Sequence, residues 1–329
     1  MKALLKRVLF RTLARPALMK RWTSRLQAGN LLTILVFHRV APPDGSAYAP
    51  LDPAMFDDTL SFLTKNFDII TFAELKTYRP SARPPMIITF DDGYKDFVEY
   101  AMPILERYKV RCNLNVIPSC VESGRPPFNI ILQDFVGKAP DALLADFRVP
   151  GYGRPNLRQN KRNIGHALST FIKRKPIAEQ KSIQDILMPQ IEALAGFTST
   201  PMMTRDDVLA VASNHELGAH SYEHATLSVE SDAYVIEDAK SCREYFAETI
   251  KRPTNIYALP NGGYRAHQLD LIRAEGFEHI LLGDQPRSRL DALNKTRFAM
   301  YGDSPSELRC RAAGLHQVRA RKRKPSRSA

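Results

Sequence analysis

The sequence has few cysteines. Cys112, Cys120, Cys242 and Cys310 are four in 329 residues, and their spacing gives no CxxC pair and no secreted disulfide framework. A reduced, cytoplasmic setting is the simpler expectation. Long apolar runs are also missing. No stretch approaches the ~20 residues that span a bilayer, and Lys6, Arg7, Arg11 and Arg15 interrupt the apolar residues near the N-terminus, leaving no signal-peptide core. Acids are absent from both ends. Residues 1–30 carry +8 and residues 308–329 carry +8, so of the net +12 the body between them keeps −4. Internal repeats are absent as well. What remains is 44% hydrophobic, enough for a sizeable core and against wholesale disorder.

The two basic ends read as arms. Leu5, Val8, Leu9 and Leu13 fall on one helical face, with Lys6, Arg7 and Arg11 largely off it. That pattern suits either a helix on an anionic membrane surface, at the inner face of the cell membrane, or an arm packed on the domain. Residues 308–329 read as a basic, disordered tail.

Between the arms, strand-like and helix-like stretches alternate. LTILVF (32–37), MIITF (86–90), 111–117, 215–220, 255–260 and, as the last strand, HILLG (279–283) are short and strand-like. Residues 53–66 place Phe56, Leu60 and Leu63 on one helical face, and Thr204 with Asp207 forms a capping box for a helix over 205–213. The alternation predicts parallel βα units. Residues 118–200 break the rhythm with helix-like segments near 130–147, 158–173 and 177–196, an insertion expected over one rim of the 31–307 domain.

Two clusters carry chemistry. In ITFDDGYKDF (88–97) a buried strand runs into Asp91 and Asp92. Neighbouring side chains on a strand point to opposite faces, so a shared site requires the strand to end there, and Gly93 can supply the turn. A solvated Asp-Asp-Gly turn is the plainer alternative. In HSYEH (220–224), His220 and His224 can converge on one metal, or form a surface pair. Together, one carboxylate and two imidazoles make a facial metal set, and a second carboxylate is left as base.

On these residues the chain resembles the polysaccharide deacetylase family (NodB-like, carbohydrate esterase family four). The likeness runs from LTILVFHRV (32–40) to about residue 283, through ITFDDGYKDF, ELGAHSYEHATLS (216–228) and YALPNGGY (257–264). The resemblance implies an α/β fold, a distorted (β/α)7-type barrel, here with a helical insertion and basic terminal arms. It also implies Asp91 as general base, Asp92, His220 and His224 as ligands of a divalent metal (Zn2+, with Co2+ or Ni2+ as alternatives), and Tyr94, Pro260, Asn261 and Gly262 along the substrate groove. Two features depart from the pattern. The family's base-orienting arginine is replaced by Ala258. The late Leu-His that supplies the acid falls at Leu315-His316 in the basic tail, so His38 is the rival acid. The expected activity is removal of N-acetyl groups from an amino sugar in an envelope glycan, exopolysaccharide or lipid-linked saccharide. A sugar O-acetyl esterase with the same site and a non-enzymatic nucleic-acid or membrane binder are the alternatives. Nucleic acid is disfavoured because no recognition fold accompanies the basic arms.

Overall fold

The computed structural model describes residues 2–284 and 287–315. Its strands, in chain order, are β1 (Leu31–Phe37), β2 (Asp68–Ile69), β3 (Pro85–Phe90), β4 (Asn113–Val116), β5 (Glu216–Ala219), β6 (Ile256–Ala258), β7 (His279–Asp284), β8 (Ser288–Arg289) and β9 (Asn294–Ala299). Seven of them close on themselves in the order β1-β3-β4-β5-β6-β7-β9 and back to β1, with every neighbouring pair parallel. This is the (β/α)7 barrel. β2 adds outside β3, and β8 lies antiparallel to β1.

The chain closes the barrel one strand later than its apolar runs suggest. Residues 279–283 are not the last strand, because β9 follows. Its sequence, NKTRFA, alternates half-buried and buried residues although Lys295 and Arg297 are both buried. A strand with two interior cations gives no hydrophobic signal, which is why the pattern hid it.

Alternation along each strand sorts the wall into two faces. Leu35, Phe37, Ile88, Phe90, Leu114 and Tyr257 face the surrounding helices in the main core. Leu32, Ile34, Ile87, Ile256, Ala258 and Leu281 fill the barrel interior.

The helices are α1 (Lys2–Leu13), α2 (Pro16–Ala28), α3 (Pro53–Asn66), α4 (Met102–Arg107), α5 (Pro118–Ser123), α6 (Phe128–Lys138), α7 (Asp141–Asp146), α8 (Lys161–Lys173), α9 (Ile177–Glu192), α10 (Arg205–Ala212), α11 (Asp232–Glu244), α12 (Gln268–Ala274) and α13 (Pro305–Ala312). Among the described residues none is long and apolar enough to cross a membrane. α3 buries Phe56, Leu60 and Leu63 as the 3.6-residue period requires, with the Asp52 side chain accepting from Ala54 N–H and Met55 N–H. α10 opens on the reciprocal Thr204–Asp207 capping box.

The insertion, α5 to α9, builds a core of its own from residues such as Phe135, Leu144, Leu168, Ile172 and Leu187. It is pressed onto the loop after β1 at two glycines. A Cβ on Gly137 would lie 2.1 Å from the Gly45 carbonyl oxygen, and one on Gly165 would lie 2.7 Å from the Ala47 Cβ. Only glycine lets α6 and α8 approach so closely.

Both arms are more ordered in their packing than their charge suggests. α13 begins inside the expected domain and buries Leu308, Cys310, Ala312 and Ala313. Residues 308–315 are therefore folded and not part of a disordered tail, because every third or fourth residue there is apolar and finds the N-terminal helices. Met19 of α2 joins Cys310, Ala313 and Leu315, with Phe10, Leu13 and Trp22 against them. Lys6 pairs with Glu307 at 2.9 Å. Residues 316–329, including His316, lie outside the described residues.

Candidate active site

The site lies at the C-terminal ends of β1, β3, β5, β7 and β9, where α/β barrels place their chemistry. Asp91 still belongs to the ladder, since its N–H donates to the Phe37 carbonyl at 3.0 Å. The next residue leaves it. Asp92 has φ +76° and Gly93 φ +79°, so the chain turns sharply and both carboxylates reach one space. A left-handed aspartate costs about 1 kcal/mol or more and persists only where its surroundings hold it.

β5 makes the same kind of exit. The His220 N–H continues the ladder to the Val116 carbonyl at 2.9 Å. Ser221 (φ +59°) and His224 (φ +63°) then fold the chain back. Buried Asp238 from α11 ties this turn: its Oδ1 accepts from the Ser221 hydroxyl at 2.7 Å and the Tyr222 N–H at 2.9 Å, and its Oδ2 accepts from the Tyr257 hydroxyl. Nothing in the sequence distinguished Asp238 from an ordinary helical acid.

The turns bring His220 Nε2 and His224 Nε2 to 3.3 and 3.4 Å from the same oxygen, Asp92 Oδ1. That oxygen is buried and has no hydrogen bond among the described residues. The His220 Nδ1–H donates to the Ala258 carbonyl at 2.8 Å, which directs Nε2 at Asp92; burial lowers the pKa of this ring, but Asp91 and Asp92 more than reverse the effect and raise it. Three ligand atoms thus lie within 4.8 Å of one another. Burial lowers the His224 pKa to about 3, overriding the attraction of Asp92, so its imidazole is neutral. A buried carboxylate oxygen without a hydrogen bond, facing two imidazole Nε2 atoms, offers the donor set of a small divalent cation. The residues fit such an ion.

Asp91 is held differently. Its Oδ1 accepts from Arg297 Nη1 at 2.7 Å and from Asn115 Nδ2 at 2.8 Å. Its Oδ2 takes no hydrogen bond among the described residues and lies 3.6 Å from His220 Nε2. Burial pushes this carboxyl up, but Arg297, His220 and His38 more than reverse the effect and hold it below the usual range. Asn115 reaches it because Gly218 on the next strand makes room; a Cβ there would lie 2.1 Å from Asn115 Oδ1.

Arg297 was invisible as a site residue. The arginine that bonds Asp91 comes from β9, on the interior parity shared with Lys295 and Ala299. The one clue is the spacing of its two cations, Lys295 and Arg297, at positions that share a strand face.

These groups open into a cavity of about 280 Å³. His38, Asn261 and Gly262 line it, and so do Tyr48 and Arg297. Asn261 adopts φ +58° in the turn Pro260–Gly262. Tyr94 and Pro260 do not reach the wall. Tyr94 is buried behind the site among Ile117, Cys120, Ile130 and Met202, because the turn at Asp92 and Gly93 swings it away from the opening. Pro260 is buried as the first residue of its turn. Burial lowers the His38 pKa, against the attraction of Asp92 and Asp91.

A closed parallel barrel with these groups at its mouth is a (β/α)7 barrel with a polar site at the strand ends. The residues 197–280, which span the His220–His224 motif and the turn at Asn261, match the model of the family described as Polysaccharide deacetylase. Over those residues the chain is similar to that family. No curated relative matches the sequence. Solved structures share the fold. Streptococcus pyogenes deacetylase PplD, described in complex with acetate, is 14% identical with a TM-score of 0.56, covering 84% of this chain and 96% of that one. IcaB from Ammonifex degensii is 17% identical with a TM-score of 0.56, covering 86% and 97%. BC0361, a polysaccharide deacetylase from Bacillus cereus, is 12% identical with a TM-score of 0.55, covering 86% and 69%.

Proposed function

We propose that the chain hydrolyses the N-acetyl group of an amino sugar, with Asp92, His220 and His224 holding a divalent metal and Asp91 acting as general base. The supporting observation is the unequal treatment of two adjacent carboxylates. Asp92 faces two imidazoles with a donorless oxygen, while Asp91 is anchored through one oxygen and free at the other. Nitrogen and oxygen donors of this kind suit Zn2+, or Co2+ and Ni2+. An ion bound there would supply Lewis acidity, polarising the acyl carbonyl and making water more acidic.

The remaining steps fall to the protein. Asp91 Oδ2 accepts the proton of the attacking water, and Arg297 and Asn115 keep that carboxylate ionised and oriented. The N–H of Asn261, on the cavity wall, is assigned to the developing oxyanion. The amine must gain a proton as the C–N bond breaks. Asp91 carries that proton, and His38 is the residue assigned to pass it on. The products are acetate and a free amino sugar. A cavity of about 280 Å³ is at the small end of ligand sites and suits one acylated sugar residue, with the rest of a glycan outside.

Acetate release from a panel of acetylated glycans tests the reaction, with matched amide and ester sugars separating de-N-acetylation from ester cleavage. Release from no amide sugar by metal-loaded protein would overturn the reading. A peripheral membrane contact is a separate proposal. It rests on Leu5 and Val8, which are 64% and 55% exposed on basic α1. Flotation with anionic vesicles should carry the protein upward, and equal behaviour with neutral vesicles would remove the idea.

A further inference from the structure

The insertion contributes a charge to the cavity that the hydrolysis above does not use. α8 has two faces. Ile164, Leu168 and Ile172 bury into the insertion's core, while His166, Ser169 and Lys173, at i, i+3 and i+7, line the catalytic cavity. The close packing of Gly137 and Gly165 on the loop 45–47 fixes this face over Asp91 and Asp92. Ser169 is already bonded, accepting from Asn129 Nδ2 at 3.3 Å. Lys173 is half-buried, and its ammonium has no hydrogen bond or ion pair among the described residues. Burial lowers its pKa against the attraction of Asp92, and its charge reaches His224. With a divalent cation on Asp92, that carboxylate is spent. The cavity then holds a surplus cation with nothing of opposite sign beside it.

We propose that Lys173 recognises an anionic group, a phosphate or a carboxylate, on the sugar that carries the acyl group. This deepens the deacetylase reading and rests on it. A lysine at a helix C-terminus also complements the helix dipole, but that role is met equally well in solvent and does not call for a place in the catalytic cavity. An ammonium there binds a phosphate or carboxylate through charge-assisted hydrogen bonds, and an uncharged sugar leaves it unpaired.

The test uses the full chain with its metal and three probes: an N-acetylated disaccharide without charge, N-acetylglucosamine 1-phosphate and N-acetylmuramic acid. Acetate release is measured for the wild type, Lys173→Met and Lys173→Arg. The wild type should prefer one of the anionic probes by about tenfold or more in kcat/KM, carried mainly by KM. Lys173→Met should abolish that preference and Lys173→Arg should retain most of it. The preferred anion tells phosphate from carboxylate. No preference in the wild type would overturn the proposal. So would an equal loss by Lys173→Met on all three probes, or weakened metal binding alone, which would mark Lys173 as a structural partner of Asp92. If no probe releases acetate, the deacetylase reading fails and equilibrium binding still decides Lys173. Tighter binding of an anionic sugar to the wild type than to Lys173→Met supports it, and equal binding refutes it.

Discussion

The floor and the roof of the cavity are built by opposite means. The floor is two short segments, Asp91–Gly93 and His220–His224, in which strained backbone turns place side chains that are close in sequence. The roof is α6 and α8, regular helices placed by glycine contacts with the loop 45–47. In the floor the information is local, and one residue of different conformational preference destroys it. In the roof it is spread over an independent hydrophobic core, and the cavity side can vary while the helices stay. On the proposed function, reaction chemistry belongs to the floor and selectivity to the roof.

Four experiments bear on that division, taken from the largest expected effect. Asp91→Asn should lower acetate release by about 10³-fold, measured with saturating sugar. A loss under tenfold would move the base elsewhere and leave the floor without its role. Next comes the footing of the floor. His215, before β5, is buried, and its Nδ1 accepts the Cys112 N–H at 3.2 Å. Burial, helped by Arg111, lowers its pKa from 6.5 to about 4. The unfolded chain binds the extra proton between those values, so stability should fall as pH drops from 6.5 to 4, by about 3 kcal/mol. Urea unfolding across that range should show the slope, and His215→Gln should flatten it.

Arg297→Met removes the long-range part of the floor. Activity should fall about tenfold to a hundredfold, and the acid limb of the pH–rate profile should move to higher pH, because Asp91 loses the charge that opposes its burial. Arg297→Lys should recover part of both. An unmoved acid limb would show that Arg297 does not tune Asp91. The smallest effect should come from the roof. Gly137→Ala would gain about 1 kcal/mol of helix propensity, yet its Cβ meets backbone atoms at Gly45, Ser46 and Ala47. A net loss of about 2 kcal/mol is expected in thermal or urea unfolding. A stabilised variant would show that the roof is not clamped there.

The sequence disclosed the floor because unusual chemistry was written contiguously. An apolar strand running into Asp91 and Asp92, and an HxxxH following another, are visible without coordinates. It disclosed six of the seven barrel strands, most of them as short apolar runs and HELGAH (215–220) by its place at the entry to the HxxxH motif. It hid β9, whose interior residues are Lys295 and Arg297, and so hid the arginine that bonds Asp91. Asn115 and Asp238 were equally hidden. Each acts on a residue far along the chain, and the polar positions they occupy have many ordinary uses. The tail failed in the other direction. Its charge concealed the apolar spacing of Leu308, Ala312 and Leu315, which is what packs α13 against α1 and α2.

The division of labour between the two adjacent aspartates is tested most directly by metal content after dialysis against Zn2+ and removal of free ion. The wild type and Asp91→Asn should each retain about one equivalent, while Asp92→Asn and His220→Ala should retain almost none. Loss of the metal from Asp91→Asn, or its full retention by Asp92→Asn, would contradict the account.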